Sequence, residues 1–167
     1  MSRELNYFFG YKDPFKIYDK DISNLDLNFK NLSVKSCPKV TFLEIEIDQD
    51  ISTYKPYLEN YFSKLGNKKI NFFTDISNYV SYERGQPTHC FDRESLGNDL
   101  TFENRTCQES FKTLLGDEIK LEDKNCIFTS EDEIISLAGV MGGESTACSK
   151  QTTKVLIECA YFHPEKI

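Results

Sequence analysis

The chain has 167 residues, a formal net charge of −7 and 28% charged residues, which suits one soluble module and opposes non-specific affinity for a phosphate backbone. Its 39% hydrophobic content, with 13 phenylalanines and nine tyrosines, excludes a disordered segment, and no apolar run approaches the roughly 20 residues that span a bilayer. The opening MSRELNYFFGYKDPF lacks the blocks of a secretory signal, which predicts a cytoplasmic protein, no membrane partner, and free thiols at the six cysteines. No CxxC pair occurs and only two histidines accompany those cysteines, so no metal site is expected.

Residues 4–20 read as a short helix carrying Leu5, Phe8 and Phe9, and with the polar stretch after Asp21 they predict a leader over 1–34 ahead of a module over 35–167. VTFLEIEID at 40–48 alternates as a strand with Leu43, Ile45 and Ile47 facing one way. A helix is expected from Pro56, where Tyr57, Leu58, Tyr61, Phe62 and Leu65 recur at helical spacing as core residues until Gly66. In DISNYVSYERGQPTHCFD, Asp75 is expected to cap a helix of at most about three turns, with Ile76, Tyr79 and Val80 on its apolar side and Gly85 as its stop. Gly85, Gln86 and Pro87 then make a stiff bend that brings His89 back beside Ser77 and Asn78. That arrangement can fix several hydrogen-bonding groups around one small volume, although a histidine beside a turn is equally at home in a structural role.

After Asp92 the pattern becomes short strands over 100–105, 119–121, 125–129, 134–140 and 154–162, with turns at Gly116 and at the Gly142–Gly143 pair. The predicted fold is α+β, predominantly β, a compact barrel-like sheet with two or three short helices. In VLIECAYF, alternation places Leu156, Glu158, Ala160 and Phe162 on one face and Val155, Ile157, Cys159 and Tyr161 on the other. A carboxylate among those apolar neighbours needs a donor or a proton if it is buried, which makes Glu158 a candidate recognition group; the alternative is a strand end where it reaches solvent. Gly139 in GVMGG either leaves room for a ligand or serves a plain tight turn, and Gly142 and Gly143 suit the turn better.

SREL at 2–5, NYV at 78–80, GQPTHCFD at 85–92, GVMGGE at 139–144 and LIECAYF at 156–162 occur in an order that resembles the beta subunit of bacterial phenylalanyl-tRNA synthetase, in its central editing module. The resemblance implies hydrolysis of tyrosine wrongly attached to phenylalanine tRNA. It implies that Glu158 accepts the tyrosine phenol, that Gly139 shapes the amino-acid pocket, and that His89, Ser77 and Asn78 lie near the ester. Lys68 stands where the family has a basic residue, usually arginine; Ser77 replaces its threonine; and its LDG segment is Leu114, Leu115 and Gly116 here. The implied partners are the aminoacylated acceptor end of tRNA, tyrosine and a synthetase alpha subunit, with no cofactor for editing and with ATP and Mg belonging to the whole enzyme. Both ends look cut from a longer chain, and the family's downstream stretch that completes the pocket falls past Ile167.

Two other readings differ in class. One is a non-catalytic structural or RNA-binding module of the synthetase. The other is a Cys90–His89 hydrolase, which alternation opposes because adjacent residues of an extended segment point to opposite sides.

Overall fold

The computed structural model describes residues 8–10, 24–48, 51, 53–106 and 108–167. The helix expected over 4–20 falls mostly outside them. Ten strands are described: β1 (Asn28–Asn31), β2 (Lys39–Glu46), β3 (His89–Asp92), β4 (Asp99–Thr106), β5 (Ser110–Lys112), β6 (Glu118–Lys120), β7 (Lys124–Ser130), β8 (Glu133–Leu137), β9 (Met141–Gly142) and β10 (Lys154–Tyr161). Two α-helices, α1 (Pro56–Leu65) and α2 (Phe72–Arg84), lie between β2 and β3.

The fold is mixed α+β and mostly sheet, but it does not close into the barrel-like form expected. The strands divide into a five-stranded sheet in the order β1-β4-β7-β8-β9, a three-stranded sheet β2-β10-β3 and the hairpin β5-β6. The two larger sheets bury one apolar layer between them, in which Phe91 and Leu156 of the smaller sheet meet Leu100, Phe102, Phe128 and Ile135 of the larger. Interdigitated rings fill this layer, with Phe42 and Phe128 centroids 6.4 Å apart and Phe102 and Phe128 5.2 Å apart. Before residue 35, β1 pairs in parallel with β4, and Leu25, Leu27 and Phe29 pack on the same core.

The helices cover the opposite face of the three-stranded sheet, where Phe73 meets Cys90, Val155, Ile45 and Ile47. On β2, Val40 and Phe42 turn to the main core, whereas on the other face Ile45 is covered and Leu43 stays 47% exposed. On α1 the burial is narrower than its spacing predicts, because Leu58 and Phe62 enter the core whereas Tyr57 and Leu65 remain exposed. Helix α2 also begins earlier than expected. Asn71 is its cap, accepting from the Thr74 N–H at 2.9 Å, and Asp75 is buried inside the first turn. Its buried face is Phe73, Asp75 and Ser77, with Val80 exposed, because Tyr54, Ile70 and Thr88 in the adjoining loops offer polar partners to this side of the helix. Gly85 does end α2 in the left-handed conformation.

Candidate functional site

Strand β10 is the middle of its sheet, so its residues from Val155 to Glu158 have a strand neighbour on both sides. The register places Glu158 opposite Phe42 on β2 and opposite His89 on β3. Leu156, Ala160 and Phe162 join it on the face turned to the main core, while Val155 and Ile157 turn towards the helices, as the alternation predicts.

A cavity of about 450 Å³ opens on that face, lined by Glu158, His89, Gly139, Gly142, Leu114 and Phe162, with Gln86, Pro87 and Thr88 beside them. Glu158 is 7% exposed, and among the described residues no donor or cation lies within bonding distance of its carboxylate. Burial pushes its carboxyl up to about 7. Burial acts the other way on His89, holding its imidazole down to about 4, so near pH 7 the ring is neutral. Its ring stands edge-on to Phe91 with centroids 4.5 Å apart.

Two glycines give these side chains their room. Gly139 has φ +75° in the Leu137–Val140 turn, closed by a 3.0 Å hydrogen bond from the Val140 N–H to the Leu137 carbonyl. A Cβ there would lie 3.1 Å from the Phe162 ring, so the tight turn and the open pocket wall are two aspects of one residue. Gly142 is not the turn residue expected. It lies in β9 against the imidazole, where a Cβ would come 2.8 Å from His89 Nε2 and 3.0 Å from Leu114 Cδ2. Gly143 is likewise a close approach rather than a turn, its N–H donating to the Ile135 carbonyl at 2.8 Å.

The remaining candidates lie elsewhere. Ser77 is buried on α2, with its hydroxyl donating to the Thr88 carbonyl at 2.9 Å and 2.8 Å from Thr88 Oγ1, and it helps to seat the segment carrying His89. Asn78 is half-buried on α2 and Lys68 is exposed in the loop between the helices; neither they nor Ser77 line the cavity. Sequence reasoning missed the contact between Gly142 and His89, and it missed Leu114, because nothing local marks contact between residues so far apart in the chain.

Cys90 faces the helices, its thiol 3.7 Å from the Phe73 carbonyl and pushed up to about 11 by burial. It is neither on the histidine's side nor ionised near neutrality, so it is no nucleophile for a Cys-His pair. The five described cysteines are all free thiols. Among the described residues no helix is long and apolar enough to cross a membrane.

The B3/4 domain family model matches residues 36–167. The phenylalanine–tRNA ligase beta subunit of Staphylococcus haemolyticus is 34% identical over 143 residues, covering 84% of this chain and 18% of that protein. That of Bacteroides thetaiotaomicron is 31% identical over 153 residues, covering 91% and 18%. The chain thus spans less than a fifth of these relatives. An N-terminal fragment of the phenylalanyl-tRNA synthetase beta subunit from Pyrococcus horikoshii superposes with a TM-score of 0.58 at 13% identity, over 99% of this chain and 51% of that one, a likeness of fold.

Proposed function

This chain belongs to the B3/4 domain family, and from that premise we propose that it is the editing module of a phenylalanine–tRNA ligase beta subunit, releasing tyrosine esterified to phenylalanine tRNA. The observation that carries the reading is Glu158: a buried carboxyl without a partner among the described residues, directly across from His89 in a cavity bounded by Gly139.

A tyrosine phenol entering the cavity donates a hydrogen bond to Glu158 and supplies a partner that the described residues do not. Phenylalanine leaves the same carboxyl buried and unpaired. A pocket built to hydrogen-bond a hydroxyl can reject the analogue lacking it by about 10⁴-fold, whereas a synthetic pocket shaped for phenylalanine discriminates weakly against an added hydroxyl. An aminoacyl ester is already activated, so a positioned water suffices as nucleophile. A histidine held down to about 4 is a weak base, and His89 therefore acts by orienting the water or the ester through hydrogen bonds. Ser77 contributes through Thr88 and the histidine's backbone, as a positioning residue. The acceptor end of the tRNA, an alpha subunit and ATP-dependent aminoacylation belong, under this reading, to the larger assembly.

The test is deacylation of tyrosyl-tRNA by the intact chain, with phenylalanyl-tRNA as control. Release of tyrosine that falls at least about tenfold in Glu158→Ala is expected. Equal rates for the two proteins remove Glu158 from the reaction. A chain that binds neither tyrosine nor a tyrosyl-adenosine mimic belongs to the non-catalytic class of module.

A further inference from the structure

Helices α1 and α2 carry a charge opposite to that of the rest of the chain. From Lys55 to Arg84 there are five basic and three acidic residues, a net of +2, which leaves −9 on the remainder. Two of those acids do not face outward as free charge: Asp75 is buried, and Glu59 is bound by Lys69 at 2.9 Å. Lys55, Lys64, Lys68 and Arg84 are exposed, with Glu83 on the same side as Tyr79.

The same helices expose aromatic rings that the core does not use. Tyr57 and Tyr82 are each 56% exposed. Behind them Tyr61 and Tyr79 stand edge to face with centroids 5.0 Å apart, Tyr57 leans on Tyr79 at 6.3 Å, and Asn67 holds the Tyr82 hydroxyl at 3.5 Å. On α1, Tyr57, Tyr61 and Lys64 share one helical face. Rings fixed in place and interleaved with cations match single-stranded nucleic acid, whose bases stack on aromatic faces while its phosphates meet Lys and Arg. A protein partner fits less well, because lysine is depleted at protein interfaces and these charges would be desolvated.

We propose that this tyrosine–lysine face of the helix pair is a docking surface for single-stranded RNA, with bases on Tyr57 and Tyr82 and phosphates on Lys64, Lys68 and Arg84. The site stands apart from the reading of the cavity; only the direction of the strand rests on it. Gly85 closes α2 beside Arg84, and the next residues, Gln86, Pro87 and Thr88, line the cavity. A strand leaving this end of the helix is therefore aimed at Glu158 and His89.

The probe is a fluorescein-labelled single-stranded RNA of mixed sequence, about 12 nucleotides long, titrated with the intact chain by anisotropy at about 50 mM salt, with its duplex as control. The acidic remainder of the molecule limits affinity to about 10⁻⁴ M, and binding should weaken steeply as salt rises. Replacing Tyr57 and Tyr82 together by alanine should weaken it by about fivefold or more. Lys64→Glu with Lys68→Glu should abolish it, and Glu83→Gln should tighten it. All these positions are exposed, and unchanged melting curves would establish that the variants fold. No anisotropy change, equal binding by the tyrosine variant, or duplex bound as tightly as single strand overturns the proposal. So does a chain that ignores RNA but whose self-association, read by sedimentation, depends on these tyrosines. Glu158→Gln should bind the strand like the parent chain, so failure of the cavity reading and failure of this surface are separate results.

Discussion

Two buried carboxyl groups, Asp75 on the helical side and Glu158 on the cavity side, have received opposite treatment from one fold. Asp75 is 2% exposed and accepts from the Tyr54 hydroxyl at 2.6 Å and from the Ile70 N–H at 3.0 and 3.2 Å. Glu158 is 7% exposed and meets no such donor among the described residues. The first is a finished structural joint tying the segment before α1 to the start of α2. The second faces the cavity instead, where the proposed ligand would meet it. The Tyr54–Asp75 contact is itself a phenol donating to a buried carboxylate, the same chemistry proposed for a tyrosine guest at Glu158.

The largest effect that could break this comparison is on activity. If Glu158 is the recognition group, Glu158→Ala should lower tyrosine release at least tenfold while leaving the urea midpoint unchanged or raised, because a desolvated carboxyl is removed. A large loss of stability would instead make Glu158 structural, like its counterpart.

Next in size is Asp75→Ala, which removes the carboxyl that accepts from the Tyr54 hydroxyl and the Ile70 N–H. Equilibrium urea unfolding should register a loss of about 3 kcal/mol, and a change within error would mean that the joint contributes nothing.

The pH dependence sharpens the contrast further, and its sign differs between the two cavity groups. Glu158 is raised in the folded state from 4.5 to about 7, so the fold holds its proton more tightly and stability falls as pH rises through that window. His89 is lowered from 6.5 to about 4, so stability falls as pH drops through its own window. Between about 4.5 and 6.5 the two slopes oppose and nearly cancel in the parent chain. Glu158→Gln should unmask stability that rises with pH by up to about 3 kcal/mol, and His89→Gln should unmask the reverse slope. Parallel pH profiles for the parent and both variants would show that neither group is desolvated as described.

The smallest effect tests the cavity wall. Gly142→Ala pushes a methyl group against His89 and should cost about 1–2 kcal/mol in thermal unfolding, with tyrosine release falling more than binding of tyrosine. Unaltered release would place the imidazole outside the reaction.

Strand and helix positions were largely legible because their signals are local. The alternation of VLIECAYF set the faces of β10, and Gly66 and Gly85 marked the ends of α1 and α2. The cap of α2 was misread as Asp75 because Asp and Asn serve equally at that position, and only the Tyr54 hydroxyl shows that the aspartate is engaged further in. The barrel-like expectation failed for a similar reason: strand signals do not say where pairing stops, and here β10 takes β2 and β3 as partners and leaves the other strands to a second sheet. Of the candidate residues, His89, Glu158 and Gly139 share the cavity, while Ser77, Asn78 and Lys68 do not line it.

By itself the sequence determined which side of each strand is oily, where each helix ends, and that an acid sits on the oily side of β10, since these follow from backbone periodicity and the conformations glycine allows. Tertiary structure alone decided that this acid lies across from His89 with no donor among the described residues, that Gly142 leaves the imidazole its space, and that Tyr57 and Tyr61 of α1 meet Tyr79 of α2. Those facts depend on distances between residues far apart in the chain, which packing sets and no local pattern records.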